Sequence, residues 1–177
     1  MENITLIGMP GSGKSTVGVL LAKALGYQFL DTDLLLQQRE GALLQDILEQ
    51  RGVEGFLDAE EAVLTSLTCQ GTVIAPGGSA VCRPRSMEHL AQLGKIVYLQ
   101  VPLAELERRV DNITTRGIAM APGETLGQVF AQREPLYRRY AQLTVDVTEG
   151  GSLEDTVSAV LRGLRLPAGA GQTMERT

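Results

Sequence analysis

Residues 8–15, Gly8-Met9-Pro10-Gly11-Ser12-Gly13-Lys14-Ser15, constrain this chain more than any other stretch, because they fit G-x-x-x-x-G-K-[ST] at every fixed position. The glycines let the backbone turn tightly and point successive N–H groups inward, which makes a nest for phosphate. Gly11, Ser12 and Gly13 offer those groups, Lys14 brings a mobile charge to the β- and γ-phosphates, Ser15 a hydroxyl to Mg²⁺, and Thr16 completes the turn. Lys14 is expected to pack against little else. The motif also commits its flanks to an apolar strand before it and a helix after it. Both are present: Asn3 to Ile7 is rich in β-branched residues, and Val17, Leu20, Leu21, Ala24 and Leu25 recur at helical spacing until Gly26 stops them.

At 177 residues and 44% hydrophobic the chain suffices for one domain with its own core. A formal net charge of -5 speaks against a nucleic-acid partner, which would call for a basic face. Cys69 and Cys82 have no metal spacing, and neither a signal peptide nor a long apolar segment follows Met1, so a cytoplasmic protein without membrane contact is expected, as a monomer. His89 reads as a solvated surface histidine without a role.

Along the chain, strand and helix alternate, which means parallel pairing with right-handed crossovers. Tyr27 to Leu30 reads as a second strand running into Asp31-Thr32-Asp33, two carboxylates on one pleat face. In an open parallel sheet ligands gather beyond the strands' carboxyl ends, beside the phosphate loop. Asp33 or Thr32 also suits a helix N-cap, which would explain one acid but not two. Residues 34–68 read as inserted helices broken at Gly41 and Gly52, with one apolar stripe at Leu43, Ile47 and Leu48 and another at Phe56, Ala59, Val63, Leu64 and Leu67.

A third, apolar strand from Gly71 to Ala75 ends in Pro76-Gly77-Gly78-Ser79, where glycines allow close backbone approach to a substrate. Pro84 starts a helix that leads to a strand at Ile96 to Leu99. A helix over Leu103 to Val110 opens into a polar loop carrying Arg116, a lid over about 111–124 whose arginine arrives on closure. A helix from Thr125 to Ala141, a fifth strand at Leu143, Val145 and Val147, and a last helix capped by Ser152 and Asp155 complete one domain over 1–166. The tail, 167–177, reads as disordered.

Taken together, these segments resemble the shikimate kinase family over about residues 3–163. The likeness rests on the phosphate loop, Asp31-Thr32-Asp33, Phe56 with Glu60, Gly77-Gly78, the Arg109 to Arg116 spacing and Arg133-Glu134-Pro135-Leu136-Tyr137, in the family's order. The resemblance implies an α/β P-loop NTPase fold in three α/β/α layers, its five-stranded parallel sheet ordered 2-3-1-4-5. It implies Asp31 near the Mg²⁺ shell with Ser15, Asp33 orienting the acceptor hydroxyl, and Arg116 as the lid arginine. It further implies that Arg133 grips the acceptor carboxylate, with Gly77, Gly78 and Ser79 beside it, and that Arg109 lies against the adenine. Three positions depart from the family: Leu57 replaces an arginine that helps bind the carboxylate, Ser79 replaces a third glycine, and Gly117 replaces the proline after the lid arginine.

The reading is a Mg-ATP-dependent kinase that phosphorylates a hydroxyl of a small carboxylate-bearing metabolite in amino-acid biosynthesis, with Lys14, Asp33 and Arg116 catalytic. A non-catalytic nucleotide-binding regulator is disfavoured by those same residues. A GTPase is disfavoured because no Asn-Lys-x-Asp segment occurs. Losing one of two carboxylate-binding arginines weakens a charge-assisted contact by about 1.5–3 kcal/mol, or roughly ten- to a hundredfold. With acids at Asp33, Asp58 and Glu60 near the pocket, a hydroxy amino acid such as homoserine is expected slightly ahead of shikimate.

Overall fold

The computed structural model describes residues 1–110, 117–147 and 151–166. Within them the order is β1 (Asn3–Ile7), α1 (Lys14–Leu25), β2 (Gln28–Asp31), α2 (Thr32–Glu40), α3 (Leu44–Thr65), β3 (Thr72–Ala75), a 3₁₀ turn (Ala80–Cys82), α4 (Pro84–Leu93), β4 (Gly94–Gln100), α5 (Leu103–Val110), α6 (Leu126–Tyr140), β5 (Leu143–Asp146) and α7 (Leu153–Leu164). The five strands form one parallel sheet in the order β2-β3-β1-β4-β5. That is the architecture of a P-loop α/β/α fold.

Both faces of the sheet are covered, so the inner strands β1 and β3 are buried at every residue instead of alternating, with Asn3, Thr5 and Thr72 as buried polar members. The pleat sends Leu6, Val97 and Leu99 to one side, with Val17, Leu21 and Val160 of α1 and α7. It sends Ile7, Ile96 and Tyr98 to the other, with Met87, Leu90 and Tyr137 of α4 and α6. A third cluster of Leu36, Ile47, Phe56, Leu57 and Val63 holds α2 and α3 together. The inserted helices therefore have a small core of their own. Among the described residues no helix is long and apolar enough to cross a membrane.

Local signals account for most boundaries. Thr125 and Ser152 each close a capping box, with Gln128 and Asp155. Gly26 and Gly41 end α1 and α2 in left-handed conformation, and Gly52 breaks α3.

Four expectations change. β2 stops at Asp31, whose side chain accepts from the Asp33 amide at 3.0 Å, so Asp31 is the N-cap and Asp33 sits in the first turn of α2, not on a strand pleat. The two acids thus reach the strand end by different routes. α3 ends at Thr65, short of residue 68, and Leu43 is 63% exposed, outside its stripe. His89 is half-buried, donating from Nε2 to the Leu67 carbonyl at 2.8 Å, and so is not solvated.

Candidate active site

The strands' carboxyl ends converge on a cavity of about 260 Å³. Gly13, left-handed at φ 91, swings the phosphate loop into α1, and Lys14 becomes the helix's first residue. The loop's own carbonyls curl over that lysine: Nζ donates to Gly8 O and Met9 O, both at 2.9 Å, and to Ser12 Oγ at 3.4 Å. Lys14 is only 9% exposed, so the expectation that it packs against little is overturned. Burial pulls its pKa down to about 8, Arg133 acting the same way and Asp33, Asp31 and Glu60 opposing.

Ser12 turns its hydroxyl toward Lys14 and its amide to Met9 O at 3.1 Å, so unlike Gly11, Gly13, Ser15 and Thr16 it does not line the cavity. Ser15 Oγ donates to Asp31 Oδ2 at 2.8 Å, joining α1 to the end of β2. No cluster of three or more His, Cys, Asp or Glu fit for a metal occurs among the described residues. The Ser15–Asp31 oxygen pair instead suits Mg²⁺, which takes few protein oxygens and completes its shell with substrate phosphates and water. On the same side Arg109 donates to Gly11 O at 3.1 Å and to Glu105 Oε1 at 2.8 Å. Hydrogen bonds from Arg108 and Arg109 hold the Glu105 carboxyl down near 2.

The rest of the cavity lining includes Asp33, Phe56, Gly77, Ser79 and Arg133. Asp33, opening α2, is largely desolvated; burial, with Asp31 adding and Lys14 opposing, pushes its carboxyl up to about 6. Arg133, 5% exposed on α6, donates from Nη2 to Ala119 O, while Nη1 is buried without a partner among the described residues. One turn on, Tyr137 donates to Gly78 O at 2.5 Å and stacks on Tyr98 with ring centroids 5.1 Å apart. A single face of α6 thus fixes both the arginine and the glycine loop.

Gly77 is required by close approach, since a Cβ there would lie 2.7 Å from Glu60 Oε1 and 2.8 Å from Asp33 Oδ1. Glu60 is 3% exposed; its Oε2 accepts from Ser79 Oγ at 2.6 Å. Burial first, then Asp33, raises the Glu60 carboxyl to about 7 against the Ser79 hydrogen bond, Arg133 and Lys14.

Two premises of the altered-pocket reading change here. Asp58 is exposed and paired with Arg83 at 2.7 Å, outside the cavity, because its helical position faces away from Glu60. Leu57, 6% exposed, belongs to the apolar cluster of α2 and α3. Gly117 has φ 58, which a proline cannot adopt, and a Cβ there would meet Leu44 Cβ at 2.7 Å and Gln45 N at 2.8 Å. Arg116 lies outside the described residues, as do the tail at 167–177 and residues 111–116 of the expected lid.

Sequence reasoning did not foresee the Tyr137 bond, the Glu105 clamp or the Ser79–Glu60 pair. Helical spacing from Arg133 and from Arg108 and Arg109 carries the first two. Nothing local carries the third, since its partners are 19 residues apart and in different elements.

A phosphate loop at the mouth of a 2-3-1-4-5 sheet, a carboxylate pair beside it and an acceptor cavity holding a buried arginine define an ATP- and Mg²⁺-dependent small-molecule kinase that phosphorylates a hydroxyl. The sequence profile described as Shikimate kinase matches residues 10–164, and the chain belongs to the shikimate kinase family. It is 36% identical over 174 residues to shikimate kinase 2 of Serratia proteamaculans, covering 93% of this chain and 97% of the relative. It is 40% identical over 148 residues to the shikimate kinase of Thiobacillus denitrificans, covering 82% and 81%. Among solved structures, shikimate kinase from Acinetobacter baumannii in complex with shikimate superposes with a TM-score of 0.83 at 34% identity over 93% of each chain. A gluconokinase from Sinorhizobium meliloti, at TM-score 0.57 and 20% identity, shares the fold alone.

Proposed function

We propose that this chain transfers the γ-phosphoryl group of ATP to a ring hydroxyl of shikimate. The observation that carries this is Arg133: a buried guanidinium in the lining of the cavity, with Nη1 unpartnered among the described residues, is placed to take a carboxylate. The names of the relatives favour the same acceptor over homoserine, and the loss of Asp58 from the pocket removes part of the case for an ammonium-bearing substrate.

In this reading Asp33 accepts the proton of the attacking hydroxyl, a bond forms from that oxygen to the γ-phosphorus, and the bond to ADP breaks. Lys14 and the loop amides offset the charge that spreads over the transferred group. Ser15 and Asp31 would hold Mg²⁺, which would supply positive charge against the phosphates. Arg109 lies on the nucleotide side, Gly77, Gly78 and Ser79 line the acceptor side, and Arg116 supplies the lid cation. Helices α2 and α3 bind the acceptor within one kinase domain spanning 1–166.

Incubation with Mg-ATP and shikimate, followed by phosphorus NMR, tests the proposal. A new phosphate monoester matched mole for mole by ADP is expected; ADP without the monoester would overturn it.

A further inference from the structure

Glu105 sits in the first turn of α5, only 6% exposed, and bonds two arginines from the last turn of the same helix. Its Oε1 accepts from Arg109 Nε and Arg108 Nη2, both at 2.8 Å, and its Oε2 from Arg108 Nε at 2.9 Å. A glutamate four residues before an arginine is an ordinary helix pair, and such pairs contribute little by themselves. This one differs because Arg109 reaches on to another element: Nη1 donates to Gly11 O at 3.1 Å, 98 residues away in the sequence. The donors of a guanidinium all lie in its plane, so bonds from Nε and Nη1 to two fixed acceptors set how that plane is turned and use neither of its flat faces.

Topology places this plate. Phosphoryl transfer is in line, with the acceptor and the leaving ADP on opposite sides of the γ-phosphorus. Asp33 and Gly77 follow β2 and β3 on one side of β1, whereas α5 follows β4 on the other. Gly11 lines the cavity and Arg109 does not, so the guanidinium stands outside the phosphate loop, away from Asp33 and Gly77.

We propose that Glu105 is a positioning residue for the nucleotide: together with Gly11 O it holds the Arg109 guanidinium so that the base stacks on its face, while the phosphates are left to the loop. This rests on the placement of Arg109 on the nucleotide side and is independent of which acceptor is used. A guanidinium released from Glu105 keeps its charge but swings on a flexible stem, and ordering it again falls on the nucleotide.

Titration calorimetry on the full chain tests this without an acceptor, with Mg-ADP and with Mg-tripolyphosphate, which has phosphates and no nucleoside. Glu105→Ala and Arg109→Ala should each weaken ADP about tenfold and leave tripolyphosphate within about twofold of wild type. Glu105→Gln keeps the packing and an oxygen for Arg109 Nε, so its loss should be smaller and of the same kind. Adding Glu105→Ala to Arg109→Ala should weaken ADP no further, because the two act as one unit. An equal loss for both ligands in Glu105→Gln would put the effect in the loop and overturn the proposal, as would an additive double variant. ADP affinity that falls in Arg109→Ala but holds in Glu105→Ala overturns the clamp alone. If it holds in both, Arg109 is not on the nucleotide side and the clamp falls with that placement. The shikimate reading is tested separately, by the phosphate monoester.

Discussion

The two ends of the cavity are built on opposite terms. At the phosphate end the protein satisfies itself: Lys14 is bonded to three loop oxygens, Ser15 to Asp31, and Arg109 to both Glu105 and Gly11. At the acceptor end Arg133 Nη1 and Glu60 Oε1 are buried without partners among the described residues, and Asp33 and Glu60 are held above their ordinary carboxylate pKa. The first end is a self-satisfied cradle of the kind P-loop proteins use for a nucleoside triphosphate. The second stores unsatisfied groups that a matching acceptor bonds and a mismatched one leaves orphaned, which is how a polar site discriminates.

The sharpest way to break this contrast is Lys14→Ala. It deletes the charge that meets the phosphates together with the bonds that hold the loop, so turnover should fall by at least about a thousandfold. Amide exchange across residues 8–14 should also speed up. Near-wild-type turnover would make the phosphate end dispensable.

Asp33→Asn comes next, with kcat/KM for the acceptor expected to fall by about 10²–10⁴ as the proton acceptor is lost. The same residue gives a pH signature. As the proposed proton acceptor its carboxylate has to be ionised, so wild-type kcat/KM should drop as pH falls through about 6. Because the folded-state pKa lies above the ordinary 3.8, ionising Asp33 costs stability, a cost absent below pH 4 and complete above about pH 6. Asp33→Asn should therefore raise stability at pH 8 by about 2 kcal/mol while destroying activity. Calorimetry showing a loss of stability instead would mean the aspartate is structural.

Arg133→Lys keeps a charge but not the planar fork, and should raise the acceptor KM about ten- to a hundredfold with little effect on KM for ATP. An equal rise in both would erase the division between the two ends. The smallest effect is expected from Tyr137→Phe, which frees the Gly78 carbonyl: a few-fold rise in acceptor KM and about 1 kcal/mol of stability, read by steady-state kinetics and thermal unfolding.

How much of this was legible follows the same division. The phosphate loop, its strand and its helix lie within residues 3–25, so spacing alone placed them, and β1 and α5 have the bounds that periodicity gives. The acceptor end draws Asp33, Glu60, Gly77, Ser79 and Arg133 from four separate segments; strand-end position brought Asp33 and the glycines beside the phosphate loop, and only the resemblance added Glu60 and Arg133. Sequence spacing put Asp58 with Glu60, although two residues apart on a helix face different ways, and one is buried while the other is exposed. It also put Asp31 and Asp33 on one strand, because the acid that ends β2 is the same one that caps α2.

The central claim, that the unsatisfied end of the cavity is built for a polyhydroxy carboxylate, is tested most directly by kcat/KM of the wild type with shikimate and with homoserine under saturating Mg-ATP. The account predicts a preference for shikimate of tenfold or more. A preference for homoserine would contradict it, and would return the substitution at Leu57 to the centre of the specificity argument.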